Sequence, residues 1–274
     1  MNTNRSVNSR VTITAQGRLL RVKATLAEED IRRGGGPRGG VTDFSSQSRV
    51  RLFRLVARLK SPEHSGYRSK VSFLTLTTRE ILHPRVFKVL LFKLFRRLRK
   101  KFPNTAIIWR LEYQKRGAPH AHCILYNAPF IDKKALQRVW GDIVGEAQPF
   151  TRIELVRAYR ALLGYVSKYV GKSEGHGGFN SVTYSDRLEN VSAADLATAG
   201  RVWGVYNRAA LPFDDEMREW IPQDGAWYMI RRYCMGFYEF LEAEDTLGFT
   251  VFCDDPYHAL KHIVRLSNLF GQYK

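Results

Sequence analysis

Cysteine is scarce in this chain: of 274 residues only Cys123, Cys234 and Cys253 carry a thiol, and no two form a CxxC pair. That usage excludes a zinc ribbon and a disulfide framework, and suits a reducing compartment. Long apolar runs are absent too. VLLF and AIIW are typical of those present, against the roughly 18 residues a membrane-spanning helix needs. The opening MNTNRSVNSRVTITAQ has no apolar core, so no secretory signal is expected and the cytoplasm is the expected setting. Acidic residues are outnumbered: 26 Asp and Glu face 44 Lys and Arg, a formal charge of +18. A polyanionic partner follows, and nucleic acid is favoured because clustered cations gain from phosphate contact and counterion release. The cations are bunched, 13 against 4 acids in residues 1–60 and eight with no acid in residues 85–101.

What is present suffices for a packed core, with 44% apolar and 12% aromatic residues. Residues 1–68 read as a basic, partly flexible N-terminal arm and helix: RRGGGPRGG (32–40) is a joint, and SRVRLFRLVARLK (48–60) has helical apolar spacing. A core domain is expected over 69–215. There VSFLTLTT (71–78) is a strand, HPRVFKVLLFKLFRRLRKKFP (83–103) an amphipathic helix, and NTAIIWRLEYQ a second strand. A turn and a third strand, then a helix (132–145), a strand (151–157) and a helix (158–172), complete it. That order predicts an α+β fold with an antiparallel sheet and flanking helices. Residues 216–274 read as a helical extension, with AWYMIRRYCMGFYEFLEA as one aromatic helix.

The chemistry concentrates in RGAPHAHCILYN (116–127). On a strand, His120, His122, Ile124 and Tyr126 share one face while Ala121, Cys123 and Leu125 share the other. On the preceding strand, Glu112 is an odd carboxylate among apolar neighbours. A hairpin turning around KRGAP brings Glu112 opposite, or one pair away from, the two imidazoles, since opposed residues have Cβ atoms about 5 Å apart. One carboxylate and two imidazoles suit Mg²⁺ or Mn²⁺ with open positions, whereas Zn²⁺ would favour Cys or a third His. From HxH alone, two structural histidines bonded to Glu112 fit equally well. The following helix adds weight to chemistry: in GYVSKYVGK, Tyr165 and Tyr169 are four apart and each has a lysine three residues on, Lys168 and Lys172. A phenol attacks poorly at neutral pH unless a metal polarises the phosphate and a cation offsets the charge. Lys115, Arg116 and Arg110, cations around the hairpin, are candidate DNA contacts.

FLTLT (73–77), WRLEYQKRGAPHAH (109–122) and YVSKYVGK (165–172), in that order, resemble the three motifs of HUH endonucleases. More narrowly, they resemble rolling-circle replication initiators of small single-stranded DNA phages and related plasmids. The resemblance covers about residues 70–215. It implies a five-stranded antiparallel sheet with the histidines on a central strand and the tyrosine helix across them. It also implies His120, His122 and Glu112 as metal ligands and Tyr165 and Tyr169 as nicking residues. The activity implied is site-specific nicking and rejoining of single-stranded DNA at a replication origin, in a bacterial host cytoplasm. A relaxase or transposase of the same chemistry, and a DNA-binding module without catalysis, are the rival readings. GKS (171–173) is no P-loop, because Val166 stands where the first glycine belongs, so a separate helicase and polymerase are expected partners. His258 and His262 have helical ligand spacing, but a solvated helix end explains them more simply. Trp203 and Tyr206 are read as core aromatics rather than base-stacking platforms.

Overall fold

The structure, a computed structural model, describes residues 10–25, 46–62, 70–114, 116–158, 160–162, 164, 200–222, 226–245 and 248–271. In chain order the elements begin with β1 (Arg10–Gln16), β2 (Leu19–Thr25), α1 (Ser46–Ala57), β3 (Val71–Thr77), α2 (Pro84–Lys101), β4 (Ala106–Tyr113) and β5 (Pro119–Tyr126). They continue with α3 (Lys133–Val144), β6 (Thr151–Leu155), β7 (Trp203–Tyr206), β8 (Glu216–Pro222), α4 (Ala226–Phe237), β9 (Glu239–Asp245), β10 (Gly248–Phe252) and α5 (Pro256–Gly271). Two compact units share these: 37–53 with 60–212, and 1–36 with 54–59 and 213–274.

The first unit carries the histidines. Its sheet has five strands in the order β6-β3-β5-β4-β7, every pair antiparallel, so β5 is central. This is the expected α+β palm. Strand parity divides the sheet cleanly. Leu74, Trp109, Cys123 and Gly204 fall on one face, and Thr75, Arg110, His122 and Trp203 on the other. Helix α2 covers the first of these faces. It starts at Pro84, with the His83 imidazole accepting from the Arg85 N–H at 3.2 Å, and buries Phe87, Leu91, Leu94, Phe95 and Leu98 in a stripe of helical period. Phe92 meets Trp109 edge to face with ring centroids 5.6 Å apart, and Phe92 and Phe95 both pack on Tyr206. Tyr206 is therefore a packing residue, as the sequence suggested.

Helix α3 lies beside α2. Asp132 caps it by accepting from the Ala135 N–H at 2.9 Å, and Gly145 ends it in the left-handed region at φ +75°. Its Trp140 is fully buried, meets Phe87 edge to face, and donates its indole N–H to the Thr77 carbonyl at 3.0 Å. That bond ties the helix layer to the end of β3, the strand that flanks the histidines.

The second unit departs from the sequence reading. Residues 10–25, expected in a partly flexible arm, form a tight hairpin, and the C-terminal residues supply three further strands. Together they make a five-stranded antiparallel sheet ordered β8-β1-β2-β10-β9. RVTITAQ and LLRVKAT alternate strictly, which buries Val11, Ile13, Ala15, Leu20, Val22 and Ala24 on one face. With Phe249, Val251, Leu260 and Ile263 they form one core, and α5 packs on β1, β2 and β8. The hairpin turns at Gly17 and Arg18, where Gly17 takes φ +60°; a Cβ there would sit 2.3 Å from the Ala57 carbonyl oxygen. The single helix expected from AWYMIRRYCMGFYEFLEA ends at Phe237, and residues 239–245 pair with β10 as a strand. Sheet pairing overrides the helix propensity of Glu, Leu and Ala there. RRGGGPRGG lies outside the described residues. Among those described, no helix is long and apolar enough to cross a membrane.

Candidate functional site

The β4–β5 hairpin sets the register of the site. Pairs run Tyr113↔Pro119, Glu112↔His120 and Arg110↔His122, so the carboxylate stands directly opposite the first imidazole. The turn is closed by the Gln114 N–H donating to the Ala118 carbonyl and the Gly117 N–H to that of Gln114, with Gly117 at φ +87°. Arg116 is exposed, yet its guanidinium donates to the Thr78 and Arg79 carbonyls and to Gln114 Oε1. It clamps the hairpin tip to the end of β3. Lys115 lies outside the described residues.

Three donor atoms converge at the centre. His120 Nε2 is 2.9 Å from His122 Nε2, and Glu112 Oε2 lies 3.5 Å from the first and 3.4 Å from the second. Bonds of about 2.1 Å to one divalent ion place neighbouring octahedral donors roughly 3.0 Å apart, so this triangle is the size of one face of a coordination shell. Among the described residues it is also the one group of three or more His, Cys, Asp or Glu side chains close enough to share an ion. A donor set of two imidazoles and a carboxylate fits a borderline or hard divalent cation.

The surroundings hold those donors in place. His122 Nδ1 lies 3.2 Å from Thr75 Oγ1, directly across the β3–β5 pairing; with an ion bound, Nδ1–H would donate to the hydroxyl and Nε2 would face the ion. Burial works against ionisation of Glu112, but hydrogen bonds from His120 and His122 and the Arg110 guanidinium outweigh it and hold the carboxyl well below the ordinary range. Arg110 Nη1 is 3.2 Å from Glu112 Oε1, and both residues are 5% exposed. Arg110, expected as a DNA contact, is buried, with its guanidinium turned onto the Glu112 carboxylate. The histidine side chains are 13% and 18% exposed, so the triangle is open on one side. Cys123 points to the other face, fully buried, and burial pushes its thiol far above the ordinary range, which removes it as a ligand.

Tyr165, Lys168, Tyr169 and Lys172 lie outside the described residues; the chain is helical at Arg160–Leu162 and Gly164, just before them. His258 and His262 belong to α5, where Asp255 caps the helix by accepting from the His258 N–H at 2.9 Å. Sequence reasoning missed Thr75 and the inward role of Arg110. Both stood on the face that parity assigns to the histidines, which was the available signal.

A five-stranded antiparallel palm with His120, His122 and Glu112 together on its central strands is consistent with the HUH type of fold. The comparisons are narrower. Residues 71–174 match the model of a family described as replication-associated protein. The chain is 24% identical over 202 residues to a replication-associated protein of Pseudomonas phage Pf3, spanning 72% of this chain and 69% of that protein. It is 25% identical over 134 residues to PDa0002 of Xylella fastidiosa, a protein assigned to replication by its name, spanning 45% of this chain and 47% of the relative. No solved structure matches significantly. These matches support the resemblance to rolling-circle replication initiators and a role in replication initiation.

Proposed function

We propose that the protein is a divalent-metal-dependent, site-specific single-stranded DNA endonuclease and strand transferase that starts rolling-circle replication. The observation carrying this reading is the convergence of His120 Nε2, His122 Nε2 and Glu112 Oε2 within 3.5 Å, inside the stretch that matches the replication-associated family. These three residues would hold Mg²⁺ or Mn²⁺, which when bound supplies Lewis-acid polarisation of the scissile phosphate.

The chain's own residues do the rest. The Tyr165 or Tyr169 phenol gives up its proton and its oxygen forms a bond to the origin phosphorus. The bond from phosphorus to the 3′ oxygen breaks, and that oxygen takes a proton to become a free 3′ hydroxyl. The 5′ phosphate stays on the tyrosine, the phosphodiester energy is conserved, and the 3′ hydroxyl primes synthesis. The second tyrosine repeats the attack on the regenerated origin, and the 3′ hydroxyl it frees attacks the first phosphotyrosine, which rejoins that strand and releases the first phenol. Lys168 and Lys172 offset the charge on phenolate and phosphate. Arg110 positions Glu112, Arg116 holds the hairpin that presents it, and Lys115 is a candidate DNA contact. The reading makes a separate helicase and polymerase partners at the origin, in a bacterial host cytoplasm.

The test is a gel assay of labelled origin oligonucleotide with protein and Mn²⁺. A covalent protein–DNA band is expected, lost in EDTA, in His120→Ala, and in the double Tyr165→Phe, Tyr169→Phe variant. An adduct that persists in the double variant would sink the reading.

A further inference from the structure

On the face opposite the histidines, between α2 and β7, lies a cavity of about 580 Å³. Its rim carries Arg85, Lys88, Arg96 and Arg201, and its floor is exposed Val89 and half-buried Phe92, the latter packed on Trp109, which is only 4% exposed. Every charged residue lining it is a cation. Gly204 makes room for the floor: a Cβ there would lie 3.2 Å from the Trp109 indole, so the ring lies directly against the β7 backbone. The clustering is felt by Lys88, whose ammonium is held below its ordinary value by burial first and then by Arg85 and Arg201. A second hollow of about 380 Å³ continues the track around β7, lined by Arg51, Arg208 and Trp203 and sharing Arg201. Trp203 pairs with Arg110 and so belongs to the histidine face.

Charge alone would suit any polyanion, but the shape is more selective. Duplex DNA presents stacked bases and phosphates on a convex surface, whereas a concave pocket with an aromatic and aliphatic floor and a cationic rim accepts one unstacked nucleotide. We infer that the cavity between α2 and β7 binds an unpaired nucleotide of single-stranded DNA, its base against Val89 and Phe92 and its flanking phosphates on Arg85, Lys88, Arg96 and Arg201. The cations around β7 then carry the strand from this pocket to the face that holds the metal triad. The inference rests on the nicking reading only for DNA as the polyanion, and it adds a strand-holding surface separate from the catalytic face.

Binding is read by fluorescence anisotropy in EDTA, so the result does not depend on cleavage. The probe is a single strand of about 15 nucleotides without an origin sequence, compared with a duplex of equal length. The double variant Arg85→Glu, Arg96→Glu is expected to weaken single-strand binding about 10-fold or more at 0.1 M salt. The salt dependence should fall by a slope of about 1.4, two phosphates at roughly 0.7 each. Equal affinity and slope in the variant overturn the inference, as does an equal loss on the duplex, or competition by micromolar dATP. Should the variant fail to fold, the wild-type protein is photo-crosslinked to an iododeoxyuridine strand. Attachment to a peptide carrying Val89 or Phe92 supports the pocket, and attachment confined to other peptides refutes it.

Discussion

Thr75→Val tests whether the site is built for a metal or merely contains two histidines. Thr75 stands directly across the β3–β5 pairing from His122, with its hydroxyl 3.2 Å from the imidazole Nδ1. Valine keeps the shape and the strand preference while removing that oxygen. As an ordinary hydrogen bond, the contact is worth about 1 kcal/mol to folding. If His122 Nε2 is a metal ligand, the lost bond also frees the ring to turn and lowers its basicity. Outer-shell partners of this kind typically affect metal affinity by about 10–100-fold, or roughly 1.4–2.7 kcal/mol. Calorimetric titration with Mn²⁺ should thus show at least about 10-fold weaker binding in Thr75→Val, while Thr75→Ser, which keeps the hydroxyl, stays near wild type. Mn²⁺ affinity unchanged within about 2-fold in Thr75→Val, with an intact fold, would refute the reasoning.

Glu112→Gln should abolish Mn²⁺ binding and also destabilise the metal-free protein, because Arg110 and Glu112 are each only 5% exposed and 3.2 Å apart. Breaking a buried pair costs about 3–5 kcal/mol, which lowers the melting point by at least about 6 °C in a unit of this size. Thermal melts in EDTA check this, and a shift under about 2 °C contradicts it. In the other unit, Gly17→Ala puts a Cβ 2.3 Å from the Ala57 carbonyl at φ +60°. The left-handed conformation alone costs about 1–2 kcal/mol, so with the displaced carbonyl a loss above about 2 kcal/mol is expected in urea unfolding. Stability equal to wild type would show that the Gly17 turn relaxes freely.

The working face of the sheet was legible because strand parity is a strict rule. His120, His122 and Glu112 had to share a face once the hairpin was recognised, and the register Glu112↔His120 is one of the two that parity allowed. The part played by Arg110 was not legible, since a cation beside a DNA-binding motif reads as a phosphate contact until its burial is known. Thr75 was hidden within FLTLT for a similar reason: a strand threonine is ordinary, and only the pairing with His122 gives its hydroxyl a partner. The second sheet was missed despite a clear signal. VTITA and LRVKA alternate, but the cations Arg21 and Lys23 on the outer face and the glycine-rich sequence that follows made the whole segment read as an arm. β9 was harder, because EFLEAED is composed largely of helix formers and becomes a strand only through its pairing with β10.

The most direct measurement is the site of covalent attachment. Protein incubated with origin DNA and Mn²⁺, then digested and analysed by mass spectrometry, should carry a nucleotide 5′-phosphate on Tyr165 or Tyr169, with none formed in Glu112→Gln. An adduct on any other residue, or nicked DNA with no protein attached, would contradict the account.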